Sequence, residues 1–285
     1  MGEKKGFRHL RIFVQTAWTF LTNCYAVGFA EGKIYTGPLK HICFPGLNCY
    51  SCPGAVGACP IGSLQAVMGS WKFSISLYVG GFLMVIGALM GRFVCGWLCP
   101  FGLVQELLYK IPVPKIKKNR VTRELSRVKY VILAVFVIIL PVVFKAASGL
   151  PVPAFCKYIC PAGTLEGGIP LVLLDESLGG LAGALFNWKV LVMAVILVSA
   201  CFVYRSFCRF LCPLGAIYSL FAPAALLGVN IDRDACIDCG RCVRTCKMDI
   251  RQVGDRECIQ CGECMKECNV DAIYWKKPWN VNGKI

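Results

Sequence analysis

One stretch constrains this chain more than any other. Arg92-Phe-Val-Cys-Gly-Trp-Leu-Cys-Pro-Phe-Gly closes an apolar run of membrane length, and Arg205-Ser-Phe-Cys-Arg-Phe-Leu-Cys-Pro-Leu-Gly closes another. Arg92 matches Arg205, Cys95 Cys208, Leu98 Leu211, Cys99 Cys212, Pro100 Pro213 and Gly102 Gly215. Residues four apart on a helix share a face, so each cysteine pair can aim at one point. The proline disfavours helix at the second cysteine and suits the first position of a new helix. The free N–H groups and positive end of that helix would face the sulfurs. Two pairs supply four thiolates, the complement of one iron–sulfur cluster. Cys95, Cys99, Cys208 and Cys212 are therefore expected to hold one. The plain alternative is four reduced thiols packed as small apolar side chains.

The 285 residues are 56% apolar, with runs near twenty residues at 12–30, 73–94, 128–147 and 185–204. Such runs predict a membrane all-α fold with four transmembrane helices, arranged as a tandem two-span repeat. A C-terminal α+β two-cluster ferredoxin domain would follow. The expected units are a first membrane repeat at 1–110 and a second at 111–230, the latter with a basic connector and a membrane-surface stretch at 214–229. A ferredoxin domain at 231–275 and a tail at 276–285 complete the chain. The first run could instead be a cleaved signal peptide, but Gln15, Thr16 and Asn23 suit a helix packed in a bundle. Pro141 should kink the third run.

The net charge of +15 does not point to nucleic acid, because the basic residues gather beside the apolar runs. Lys4, Lys5, Arg8 and Arg11, the segment 110–129, and Arg205 with Arg209 all fall on one side of a four-span arrangement. The positive-inside rule makes that side cytoplasmic, in the inner membrane, with both termini there. Loops 31–72 and 148–187 then face outward, the latter carrying Glu166, Asp175 and Glu176. Trp71, Trp97 and Trp188 are placed at the lipid interface. Cys24 and Cys201 read as buried apolar residues.

The C-terminal segment 231–275, called the tail from here on, has the strongest pattern among the chain's 20 cysteines. Cys236, Cys239, Cys242 and Cys246 repeat at the same spacing as Cys258, Cys261, Cys264 and Cys268. In two-cluster ferredoxins the fourth cysteine of each run serves the other cluster. One 4Fe-4S cluster should use Cys236, Cys239, Cys242 and Cys268, the other Cys258, Cys261, Cys264 and Cys246. Zinc knuckles share C-x2-C pairs but not this doubled run. Lys247 and Asn269 replace the usual proline after the fourth cysteine.

The outward loops leave more open. A further cluster either joins Cys156 and Cys160 to two of Cys49, Cys52 and Cys59, or uses Cys43, Cys49, Cys52 and Cys59 alone. Disulfides are the alternative that an oxidising exterior permits. Cys59-Pro-Ile-Gly-Ser-Leu-Gln parallels Cys160-Pro-Ala-Gly-Thr-Leu-Glu. His9 and His41 are the only histidines and C-x2-C-H is missing, so haem has little support. Glu106 and Glu166 are candidate proton carriers; no residue is expected to act as a catalyst.

The doubled C-x3-C-P run and the trailing double ferredoxin pattern resemble the membrane polyferredoxins of the NapH/NosR type, and a related copper-reductase family of cytochrome oxidase assembly. The resemblance implies electron transfer at the inner membrane, as the redox subunit of an oxidoreductase complex. Its partners would be other redox subunits, a flavin protein or a quinone, in contact with membrane lipid. Two further readings are a copper reductase or assembly factor, and an iron–sulfur sensor with a structural role.

Overall fold

The computed structural model describes residues 3–70, 73–116, 118–174, 180 and 183–276, with backbone only for 3–8, 70 and 73–76. Trp71, Asp175 and Glu176 lie outside the described residues, as does nearly all of the closing segment expected at 276–285.

The first half of the chain runs through helices Glu3–Thr22, Pro60–Ser70, Phe73–Met90, Phe93–Trp97 and Pro100–Leu108. The second runs through Arg120–Ser148, Ala154–Tyr158, Gly163–Leu174, Ala184–Phe202, Ser206–Phe210 and Pro213–Phe221. In both, a proline directly after a cysteine opens a helix at a position whose N–H has no intrahelical partner. Those openings follow Cys59, Cys99, Cys160 and Cys212.

The expectation of four spans as a tandem repeat does not hold. Among the described residues, two helices are long and apolar enough to cross a membrane: Arg120–Ser148 and Ala184–Phe202. The first apolar run breaks in two. Its helix ends at Thr22, the chain turns, and a short helix Val27–Glu31 follows. The longer piece also carries buried Arg11 and Gln15, which bond inward to Glu106 and to the Cys99 carbonyl. The second run offers Leu77–Met90 as its apolar stretch among the described side chains, shorter than a span.

Helix Arg120–Ser148 is started by Asn119, whose side chain accepts from Arg120 N–H while Thr122 Oγ1 accepts from Asn119 N–H. Its turns widen to π geometry over Leu133–Ile139, just before Pro141. Pro141 supplies no N–H to the preceding turn, and a π-turn accommodates that gap.

The C-terminal region is not a separate α+β domain either. Strand β1 (Gly228–Ile231) pairs antiparallel with β2 (Ile273–Lys276), Ile231 opposite Ile273. The segment between them, however, shares the main core: Met248, Ile250, Cys258 and Ile259 pack in one cluster with Val94, Cys95, Phe101, Phe207 and Tyr218. Buried ion pairs fasten it. Glu257 accepts from Arg92 and Lys129, and Asp249 from Arg209. Trp97 is not an interfacial anchor; it is buried, stacks on Phe93 and donates to the Gln260 carbonyl. A Cβ on Gly96 would stand 2.2 Å from the Ile259 carbonyl, so the approach of the two regions needs that glycine.

Candidate metal centres

Helices Phe93–Trp97 and Ser206–Phe210 carry Cys95 and Cys208, and the backbone is extended at Cys99 and Cys212 before each proline. All four side chains are buried and lie within electrostatic reach of one another. Burial pushes the bare Cys99 thiol up to about 12, with Cys208 and Cys95 adding to the shift. A sulfur so placed becomes a thiolate readily only against positive charge. Helix openings contribute: Gly215 N–H lies 3.4 Å from Cys212 Sγ, and Gly102 N–H bonds to Cys99.

The two halves clamp each other. Arg92 donates to the Cys208 carbonyl at 3.2 Å, and Arg205 donates to the Cys95 carbonyl. Both guanidiniums are fully buried. Each first cysteine is thus held by the matching arginine of the opposite half. The matching glycines make room: a Cβ on Gly102 would press on Arg205 Nη1 at 3.2 Å, and one on Gly215 on the Cys208 carbonyl at 3.1 Å.

A second group forms in the expected outward loops from Cys49, Cys59, Cys156 and Cys160. Cys160 feels the charges of Cys156, Cys49 and Cys59, and Cys59 those of Cys156 and Cys49. The sulfurs of Cys49 and Cys160 each stand 3.7 Å from the point where a Gly163 Cβ would sit. Gly163 N–H lies 3.4 Å from Cys160 Sγ, repeating the geometry at Cys212. Cys43 stands apart from the four, its Sγ facing Ser63 Oγ at 3.6 Å, whereas Cys52, whose Sγ faces Asn23 Oδ1 at 3.7 Å, is also within electrostatic reach of Cys49. Every cysteine is a free thiol, so the disulfide alternative is not realised.

In the tail, Cys246, Cys258, Cys261 and Cys264 surround a cavity also lined by Tyr204, Met248, Ile250 and Ile259. Burial pushes the Cys261 thiol up to about 12 and Cys246 up to about 11. Cys242 lies within reach of Cys239 and Cys236, and packs with Cys268 and Cys264 against Val229, Val253 and Ile273. Gly240 and Gly262, after the second cysteine of each run, have φ of 66° and 72°, left-handed turns that wrap the backbone around the sulfurs. Among the described residues, no group of three His, Cys, Asp or Glu side chains could hold a single metal ion. Four cysteines around a cavity, Cys258 buried and the others half-buried, fit a multinuclear cluster, whose thiolate ligands stand further apart than those of one zinc ion.

The groups are contiguous. Buried Tyr218 is reached by the charges of Cys95, Cys59, Cys99 and Cys212, so it stands between the outer group and the central one. Arg92 is reached by Cys95 and Cys208 and also acts on Cys258. Cys264 feels Cys242 of the last group. Glu106 has a different job from carrying protons. Burial alone would raise its carboxyl, but Arg205 and Arg11 hold it well below the usual carboxylate range. Glu166 accepts from Cys49 N–H at 2.8 Å, and burial pushes its carboxyl up to about 7. Sequence reasoning assigned no role to Arg11, Lys129, Tyr218 or Glu257. Lone charges beside apolar runs look like solvated flanks until their partners, some 85 to 165 residues away, are known.

The family described as "4Fe-4S binding domain" matches residues 73–119, 130–169 and 185–230; the first and third hold the central group and the second holds Cys156 and Cys160. Three stretches of the chain are therefore similar to a 4Fe-4S binding domain. The chain is 25% identical over 172 residues to an Escherichia coli protein named for electron transport, YccM, covering 59% of this chain and 44% of that one. It is 27% identical over 188 residues to the methylamine utilization ferredoxin-type protein MauN of Paracoccus denitrificans, covering 64% and 58%. It is 34% identical over 168 residues to the regulatory protein NosR of Pseudomonas aeruginosa, covering 56% and 21%. The chain spans less than two thirds of the length of each of these relatives. No solved structure matches it. The chain is thus similar to iron–sulfur proteins, one of them named for electron transport, and two of its described helices are long and apolar enough to cross a membrane.

Proposed function

We propose that this chain is a membrane-bound electron-transfer subunit holding four clusters in a row. The outer cluster would be held by Cys49, Cys59, Cys156 and Cys160, and the central one by Cys95, Cys99, Cys208 and Cys212. The third would be held by Cys246, Cys258, Cys261 and Cys264, and the last by Cys236, Cys239, Cys242 and Cys268. Clusters of this kind accept and release one electron at a time, at potentials set by burial and hydrogen bonding. The observation that carries this reading is that each thiol group lies within electrostatic reach of the next, the first three against the main core and the last against the small cluster of Val229, Val253 and Ile273. Tyr218 links the first to the second, Arg92 the second to the third, and Cys264 meets Cys242 of the fourth.

The exposed last group, with Cys239 at the surface, would exchange electrons with a cytoplasmic redox partner. The outer group would serve a quinone or an exoplasmic partner such as a flavin protein. Helices Arg120–Ser148 and Ala184–Phe202 would cross the inner membrane. The chain's own residues hold the sulfurs, exclude water and balance charge. The test is stepwise reduction of purified protein with a low-potential donor, followed by oxidation with a quinone analogue. Re-oxidation of all clusters at one rate supports the row. A fraction that stays reduced identifies a break in it.

A further inference from the structure

The four proline-opened helices share a feature beyond their cysteines. The sixth residue after each cysteine is a polar or aromatic side chain turned toward a thiol group: buried Gln65 after Cys59, buried Gln105 after Cys99, half-buried Glu166 after Cys160 and buried Tyr218 after Cys212. The two glutamines make the same three bonds. Gln65 Nε2 donates to Cys156 Sγ at 3.2 Å and to the Ile61 carbonyl at 3.2 Å, while its Oε1 accepts from Phe155 N–H at 2.9 Å. Gln105 Nε2 donates to Cys208 Sγ at 3.0 Å and to the Phe101 carbonyl at 3.3 Å, while its Oε1 accepts from Phe207 N–H at 3.0 Å. Gln65 is 1% exposed and Gln105 0%.

The orientation of each amide is fixed by chemistry. The buried backbone N–H of Phe155 or Phe207 needs an acceptor, which only Oε1 can supply, so Nε2 must face the sulfur. In both cases the sulfur belongs to the first cysteine of a C-x3-C-P pair in the second half of the chain, and the glutamine comes from the first half. The second half returns no such donor. Glu166 accepts from Cys49 N–H, and Tyr218 donates to the Pro45 carbonyl at 3.0 Å. The side-chain N–H···S bonds of the outer and central groups thus both come from the first half.

We propose that Gln65 and Gln105 are positioning residues that raise the reduction potentials of the outer and central clusters, each through one N–H···S bond to Cys156 or Cys208. An N–H donor withdraws charge from the thiolate and favours the reduced cluster. The bond also fixes the rotamer of one ligand in each set. The inference rests on the cluster assignments made above.

The test is a potentiometric titration of full-length protein followed by EPR, with iron counted per chain. Gln105→Met keeps the volume and removes the donor; Gln105→Glu keeps the shape and places an acceptor against the sulfur. Both should retain full iron and lower the midpoint of one signal, the one that Cys208→Ala abolishes, with Glu the larger shift. Gln65→Met should lower a different signal, the one that Cys156→Ala abolishes. Full iron with unshifted midpoints overturns the proposal. Loss of that cluster's iron in both Gln105 variants also overturns it, leaving only a packing role. A wild-type protein with no iron beyond the tail pair would instead overturn the cluster assignment itself.

Discussion

The central thiol group and the tail thiol groups reach the same inventory, four sulfurs, by opposite routes. The tail groups draw on cysteines within one short segment, and their form is dictated by local spacing and two left-handed glycines. The central group draws on two segments more than a hundred residues apart, and each half is held by an arginine from the other. The difference teaches where the stability must come from. A locally spaced site needs turn geometry. A site built across halves needs long-range contacts, here buried guanidinium groups that reach the carbonyls of the opposite half.

Removing the cross-half site should have the largest effect. The double variant Cys95→Ala, Cys208→Ala should lose about four irons per chain and one EPR signal, while both tail signals persist. If a tail signal disappears as well, the two regions do not assemble independently. Next comes Glu106→Gln, which leaves Arg11 and Arg205 buried against each other and should destabilise by about 3–5 kcal/mol in denaturant titrations. Because the carboxyl is held below its ordinary value, its contribution is complete above the unfolded carboxylate pKa and is lost as pH falls toward the folded one. The deficit of the variant should therefore be full at neutral pH and shrink on acidification. A deficit independent of pH would assign the loss to packing.

Arg92→Met tests the seam between the two regions. Glu257 keeps Lys129 but loses Arg92, and the Cys208 carbonyl loses its donor. A loss of about 3 kcal/mol is expected, together with faster proteolysis between residues 231 and 276. Cys43→Ser should change least, retaining all iron, because its sulfur faces Ser63 and acts on none of the outer four.

Much of the site was legible because cluster ligation leaves its mark in spacing. The doubled tail run, the paired C-x3-C-P segments and the parallel between Cys59 and Cys160 all rest on distances along the chain. The span count failed for a physical reason. Hydropathy averages over a run and does not register that Arg11 and Gln15 turn inward, or that the chain breaks after Thr22. The choice among Cys43, Cys49, Cys52 and Cys59 was also closed to sequence. All four sit in one loop, and only the placement of Cys156 and Cys160 selects Cys49 and Cys59 as their neighbours. The tail read as a separate domain because its cysteines are self-sufficient. Its attachment depends on Asp249 and Glu257, single acids whose basic partners lie elsewhere in the chain.

The central claim is that buried thiol groups outside the tail hold iron, and its most direct test is iron and acid-labile sulfide per chain in anaerobically purified protein. The four-cluster account predicts about sixteen of each. About eight of each, with both signals assigned to the tail, would contradict it.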